Sequence, residues 1–334
     1  MTAIRPSAKT RSSEPSGTSG ESVPRIAIVG AGPMGRLHAR TVARLAKTEK
    51  SCVLATVIDR HRGRAEAVTE EFGGRAETNL EDALTAVDAV IVCVPTGEHS
   101  SLTKMILEGG CDVLVEKPLA ATVAEGRLLA ESARTCGRIL QVGHIEWYNQ
   151  GWRDAVDRVG VPKTIDVERL NPASDRGLDI DVVQDFMLHD LDWVTRLLGE
   201  EVIELKAQGR CVVHDKLDEA EAELTFRSGC RVTLRASRVY KERRRIARIS
   251  GDKGSATADL LARRLEGASL QTRPGPDPLE AQCRDFLDSV ESRVNPSADA
   301  TVGVAALEIV ERVRGAIEQS SGSSGHEDGS TLRG

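Results

Sequence analysis

From Arg25 onward the chain alternates short apolar runs with amphipathic stretches: RIAIVG, then MGRLHARTVARLAK, then CVLATVID, then RGRAEAVTEEF. Near-continuous apolar runs predict strands buried on both faces, and the 3.6-residue periodicity between them predicts helices, so the rhythm is β-α-β-α at parallel-sheet spacing. It continues with a helix opened by Asn79 (NLEDALTAV), the strand DAVIVCV, a helix through LTKMILE, the strand DVLVEKP, a helix opened by Thr122, and the strand RILQVG. Thr122 followed three residues later by Glu125 is a capping box, in which each side chain satisfies a helix N-terminal N–H. Right-handed crossovers then give a doubly wound sheet.

After about residue 144 the pattern changes. TIDVERL, VIELKAQGRCVVH, AEAELTF, CRVTLRAS, RRIARISG and GSATADL carry partial period-two alternation, which predicts a largely antiparallel sheet. Helices are expected at about 150–159 and 182–198 before or among these strands, and at about 278–292 and 300–318 after them. The fold class is therefore an α/β Rossmann domain with a doubly wound parallel sheet over residues 24–143, followed by an α+β domain with a large, mostly antiparallel open sheet over 144–318. Residues 1–23 and 319–334 are rich in Ser, Gly and Thr and poor in large apolar side chains, so they read as tails that cannot offset their ordering entropy by burial.

Composition narrows the function. A chain of 334 residues has room for two domains, and its formal charge of −6 excludes a general nucleic-acid binder, which needs a basic surface. No run approaches the roughly 20 apolar residues of a membrane span. The seven cysteines form no CxxC pair and several lie in strand-like runs, as buried thiols in a reducing compartment do. A cytoplasmic protein is expected.

Gly30-Ala31-Gly32-Pro33-Met34-Gly35 has the GxGxxG form between a strand and a helix. The first glycine permits a tight turn, the second lets backbone approach a pyrophosphate, and the third lets helix and strand pack closely. Pro33 is harmless at the helix start, where its missing N–H has no partner to lose. Asp59 ends the second strand, where a carboxylate can accept from both hydroxyls of an adenosine ribose. That favours NAD, although Arg60 and Arg62 beside it leave NADP open. Asp59 is also placed to cap the next helix, and the two roles are compatible.

Glu116-Lys117-Pro118 lies at the carboxyl end of the strand DVLV, the edge where ligands sit in such sheets. A lysine there either assists removal of a proton from a hydroxyl or is a solvated loop residue. Asp185 and His189 stand four apart on a predicted helix and share a face, with Asp192 a further three residues on. Histidine is suited to proton transfer at neutral pH, and a carboxylate one turn away can orient it. Seen alone, the pair is equally a solvated helix face.

In order, the GxGxxG turn, Pro95-Thr96 with His99, Glu116-Lys117-Pro118 and Asp185-Phe-Met-Leu-His189-Asp-Leu-Asp192 resemble the glucose-fructose oxidoreductase/inositol dehydrogenase (Gfo/Idh/MocA) family over about residues 24–318. The resemblance implies that Pro95, Thr96 and His99 line the cofactor and that Glu116 sits near the nicotinamide. It also implies that Lys117, His189 and Asp185 surround the reacting hydroxyl, with a cis Lys117-Pro118 bond. Hydride transfer to nicotinamide needs no metal, and none is expected.

QVGHIEWYNQ (141–150) and the stretch from Arg169 through Asn171-Pro172 and Arg176 are similar to members of that family acting on UDP-N-acetylglucosamine at its 3-hydroxyl. This implies that His144, Tyr148 and Asn149 face a sugar and that Arg169 or Arg176 meets a diphosphate. Trp147, where that subset carries arginine, either stacks on the ligand or plugs the domain interface. The run Lys241–Arg245 reads as a hairpin turn with a solvated strand face. A small-molecule sugar or nucleotide-sugar substrate is expected, with free sugars, inositols, or a non-catalytic co-repressor of the same fold as alternatives. The apolar Val232, Leu234 and Ala236 suggest a covered sheet face that relatives use for oligomer contacts, hence a homodimer or homotetramer.

Overall fold

The structure, a computed structural model, describes residues 23–174, 179–266 and 277–323. Six strands, β1 (Arg25–Val29), β2 (Val53–Ile58), β3 (Arg75–Glu77), β4 (Ala89–Val92), β5 (Asp112–Glu116) and β6 (Leu140–Gly143), form a sheet in the order β3-β2-β1-β4-β5-β6. Every pairing in it is parallel. Alternate residues of β1 feed two cores, Ala27 and Val29 on one face and Ile26 and Ile28 on the other, which is why the strand reads as a continuous apolar run. β3 has no apolar run and escapes the sequence pattern; it is a short edge strand on β2. Between the strands run α1 (Pro33–Thr48), α2 (Arg62–Phe72), α3 (Leu80–Leu84), α4 (Thr96–Glu108) and α5 (Val123–Cys136). Asn79 caps α3 by accepting from Glu81 N–H at 3.0 Å, and Thr122 with Glu125 forms the expected capping box on α5.

The second domain adds α6 (Gln150–Val159), β7 (Pro162–Leu170), α7 (Leu188–Leu198), β8 (Val202–Arg210), β9 (Glu219–Phe226), β10 (Arg231–Ser237), β11 (Arg244–Gly251), β12 (Gly254–Asp259) and β13 (Arg264–Leu265). Its sheet runs β13-β12-β11-β7-β10-β9-β8, antiparallel except for the parallel pair β7–β10. Val232, Leu234 and Ala236 are buried in one core with the chain's own Trp152, Leu191 and Val310, so the apolar face expected at a subunit contact is covered from within. The opposite face is a charge ladder in which Arg235 pairs with Asp166 and Glu221 while Arg248 pairs with Asp166 and Glu168. Period-two alternation dictates both outcomes.

Two further helices cross back. α8 (Pro278–Ser292) places Cys283, Phe286, Leu287 and Val290 in the same core as Ile26, Ile28 and Val42 of the first domain. α9 (Ala300–Ser323) sets Leu307 against the Rossmann core and Val310, Val313 and Ile317 against the second one. The boundary expected at residue 144 is therefore crossed twice more, because an amphipathic helix can bury its stripe against either core and sequence alone does not say which. The helix also extends to Ser323, past the expected start of the tail. Phe286 is 1% exposed, so Phe286→Ala should lower the denaturant midpoint by an amount equivalent to about 3–5 kcal/mol, although the residue lies far along the chain from the Rossmann segment it supports. A loss below about 1 kcal/mol would show that α8 is an appendage.

Candidate active site

Gly30 has φ +94°, and a Cβ there would lie 2.4 Å from the Cys93 carbonyl oxygen of the neighbouring β4 end; one on Gly35 would lie 1.8 Å from the Gly30 oxygen. These two glycines are required by backbone contact. Gly32 differs, since its Cβ would meet nothing within 4 Å. It faces open space at the point where the strand order reverses between β1 and β4, the usual ligand crevice of a doubly wound sheet. Gly32 and Pro33 open α1 without a side-chain cap, leaving the N–H groups of Met34 and Gly35 and the positive end of the helix for an anion. Asp59 accepts from Ala31 N–H at 2.9 Å and from His61 N–H at 2.8 Å, one bond to each carboxylate oxygen. Each oxygen keeps a lone pair for a ribose hydroxyl. Arg60 is largely exposed and only 3.8 Å from Glu98. Pro95 and Thr96 start α4 directly after β4, across the crevice from Gly30. The cradle fits a dinucleotide.

His99 departs from its expected place along the cofactor. It is 1% exposed, with its Nδ1 2.7 Å from the Pro118 carbonyl oxygen and its Nε2 3.0 Å from that of Val94. Burial lowers its pKa despite these contacts. The neutral ring has one N–H, and with it on Nδ1, bonded to the Pro118 carbonyl at the shorter distance, His99 ties α4 to the turn carrying Lys117. The Lys117-Pro118 bond is cis.

Lys117 Nζ donates to the Asp185 carboxylate at 2.5 Å and to the Asp185 carbonyl oxygen at 2.9 Å. The sequence expectation of one uninterrupted helix is modified here: residues Val183–Met187 form a π-helical turn before α7 begins. Such a turn disturbs the i to i−4 ladder, and it presents this carbonyl to the lysine. His189 makes no hydrogen bond among the described residues; its Nδ1 is enclosed without a partner, leaving Nε2 as the nitrogen open to the cleft. Its pKa lies well below the ordinary value because of burial and then the charges of Lys117, Arg169 and Arg245. At neutral pH the ring is uncharged.

Behind Lys117, Glu116 Oε1 is 2.7 Å from His38 Nε2, and His38 Nδ1 is 3.6 Å from the Cys283 thiol of α8. His38 is fully buried; burial opposes its charge, but the contacts with Cys283 and Glu116 prevail and raise its pKa to about 10. Glu116 is lowered by the same partner against the cost of its own burial. Sequence reasoning missed His38, whose only signal is its position on the buried face of α1.

The substrate-side expectations divide. His144 is 1% exposed, and neither ring nitrogen has a hydrogen-bond partner; the nearest carboxylate, Asp192, is 3.9 Å away. Asn149 instead caps α6 by accepting from Gly151 N–H, and donates to Glu146 and the Leu260 carbonyl. Tyr148 donates to Asp285 of α8 at 2.6 Å. Trp147 packs against the core of the second domain, with the guanidinium of Arg196 3.6 Å and that of Arg153 4.5 Å from its ring centroid. Arg169, expected at a diphosphate, is 1% exposed and bound bidentately to Asp190 at 2.7 Å through each nitrogen. Arg176 lies outside the described residues. Arg245, read as part of a solvated hairpin, is instead turned inward beside Arg169.

A Rossmann domain and a partner domain that closes over the sheet edge with a lysine, an aspartate and a neutral histidine define a dinucleotide-dependent oxidoreductase. Residues 24–144 match the family model described as oxidoreductase family, NAD-binding Rossmann fold, and residues 137–257 match the GFO/IDH/MocA C-terminal domain. The chain is 33% identical over 315 residues to UDP-N-acetylglucosamine 3-dehydrogenase of Acidithiobacillus ferrooxidans, covering 88% of this chain and 97% of that one. It belongs to the GFO/IDH/MocA oxidoreductase family and is an NAD-dependent oxidoreductase. A solved structure of UDP-N-acetylglucosamine 3-dehydrogenase from the same organism superposes with a TM-score of 0.80 at 32% identity, over 89% of this chain and 98% of that one. A scyllo-inositol 2-dehydrogenase (NAD(+)) of Bacillus subtilis is 29% identical over 69% of this chain and 72% of its own.

The glycines can be separated experimentally. Gly32→Ala should keep the wild-type melting temperature while weakening NADH binding by about tenfold, about 1.4 kcal/mol, whereas Gly35→Ala should lose stability and binding together. NADH fluorescence titration with thermal melts distinguishes the two. His38 makes a pH prediction: its folded pKa of about 10 stands above the ordinary 6.5, so its contribution is complete below pH 6.5 and is lost as pH rises through about 10. Denaturant unfolding between pH 7 and 10 should therefore show a stability decline that flattens in His38→Gln.

Proposed function

We propose that this chain is a sugar dehydrogenase that oxidises a secondary ring hydroxyl, with the 3-hydroxyl of a UDP-N-acetylhexosamine as its preferred target. The single observation that carries the reading is the grouping of Lys117, Asp185 and neutral His189 at the carboxyl edge of the Rossmann sheet. Bound NAD supplies the acceptor for the hydride that leaves the carbinol carbon. Lys117 spends two of an ammonium's three N–H groups on Asp185 and keeps the third to hold the hydroxyl oxygen. His189 Nε2 takes the hydroxyl proton, a role that requires the uncharged ring that its burial and then its cationic neighbours enforce. The relatives named above support the alcohol chemistry, and the nearly complete coverage of the UDP-N-acetylglucosamine enzyme favours a nucleotide sugar over a free inositol.

Purified protein should reduce NAD, followed at 340 nm, with UDP-N-acetylglucosamine in preference to free hexoses or inositols. Lys117→Ala and His189→Ala should each lower kcat by about 10²–10⁴-fold while NADH binding is retained. Because the His189 pKa is depressed, the rate should persist below pH 6.5, where an ordinary histidine base would already be protonated. Wild-type turnover in Lys117→Ala would refute the assignment.

A further inference from the structure

Arg245 is the charged group that neither the sequence reading nor the proposed reaction uses. In the register of β11 on β7 it stands directly opposite Arg169, so two guanidiniums lie side by side. Arg169 is matched: Asp190 binds it through both oxygens and also accepts from Trp193 Nε1 at 3.1 Å. Arg245 is left with Glu146, whose Oε1 it reaches at 3.3 Å. The same oxygen lies 3.5 Å from Arg169 Nη1, and the other oxygen of Glu146 accepts from Asn149 at 3.1 Å. One carboxylate is therefore shared among three donors.

The shortage shows in the atoms. Arg169 Nη1 and Arg245 Nε are enclosed without an acceptor, an arrangement that is rare for buried donors. Burial first, and then the neighbouring charge of Arg169, bring the Arg245 pKa down to about 10. The next carboxylate acting on Arg245, that of Asp190, is already held through both oxygens by Arg169. Lys117, Arg169 and Arg245 all act on His189, so the field around it is short of negative charge. The Arg245 side chain is 23% exposed, which keeps part of its guanidinium reachable, whereas Arg169 at 2% is sealed behind it.

We infer that Arg245, backed by Arg169, forms an oxyanion subsite beside His189 that binds a negatively charged group of the sugar substrate, a phosphate or a carboxylate. The inference rests on the dehydrogenase reading for the word substrate. A guanidinium presents paired N–H donors matched to two oxygens of one such group, which a lysine cannot reproduce. The subsite also makes charge a criterion of selection, since an uncharged polyol leaves the surplus cation unanswered.

The test compares wild type, Arg245→Met and Arg245→Lys with UDP-N-acetylglucosamine, which carries phosphate, glucuronate, which carries only carboxylate, and uncharged myo-inositol. In Arg245→Met the ratio of kcat/KM for a charged substrate to that for myo-inositol should fall at least about tenfold, chiefly through KM, and in Arg245→Lys by less. The charged substrate whose ratio falls tells phosphate from carboxylate. An unchanged ratio, or a wild type that prefers myo-inositol to both charged substrates, overturns the subsite and leaves the dehydrogenase intact. Calorimetric titration of UDP and glucuronate into the protein saturated with NADH runs alongside. If no substrate is oxidised the dehydrogenase reading fails, yet the titration still decides the subsite: binding lost in Arg245→Met upholds it, and no millimolar binding to wild type overturns it. Should Arg245→Met fail to fold, Arg245→Lys decides both arms, since it keeps the charge and removes the paired donors.

Discussion

The contact of Lys117 with Asp185 is the point on which the rest of the structure turns. It joins the end of β5 in one domain to the π-helical turn before α7 in the other, using both the side chain and the backbone carbonyl of one residue. An ion pair at this depth is stabilising only when its geometry is good and the remaining donors are satisfied. Each side of it is accordingly braced. His99 binds the carbonyl of Pro118, Glu116 accepts from the Lys117 N–H at 3.3 Å, and His38 with Cys283 fixes Glu116 from behind. The return of α8 to the Rossmann core is what brings Cys283 there.

Charge is distributed around this contact with unequal matching. His38 and Glu116 form a buried pair in which each stabilises the charged form of the other. His189 has the opposite surroundings, with three cations acting on a buried ring, and stays neutral. The same residue type is thus held in two protonation states within one molecule: burial disfavours the cation at both, hydrogen-bonding partners overcome it at His38, and cationic neighbours reinforce it at His189. Arg169 and Arg245 extend the logic to a guanidinium pair, one held through two nitrogens by its own carboxylate and the other left with a shared one.

Residues near the domain crossing do different work from that suggested by their polarity. Tyr148, Asn149 and Trp147 look like ligand groups as a string of letters, but each has a partner within the protein: a hydroxyl on Asp285 of α8, a helix cap on α6, a ring beside two arginines. Aromatic and amide side chains serve both purposes with the same chemistry, and only their partners tell the purposes apart.

By itself the sequence determined what depends on local periodicity and backbone sterics. The alternation of apolar runs and amphipathic stretches set the doubly wound sheet, the glycine spacing set the dinucleotide turn, and Asn79 and Thr122 set their helix starts. Lys117, Asp185 and His189 were legible because a strand end and a four-residue spacing are one-dimensional facts. Only the tertiary structure decided that α8 and α9 return to the first domain, that the apolar sheet face is covered by the chain's own helices, that Arg169 is sealed while Arg245 is turned inward, and that His38 stands behind Glu116. Those outcomes depend on which distant groups share a low-dielectric space, and neither burial nor a partner's charge is written at a single position of the chain.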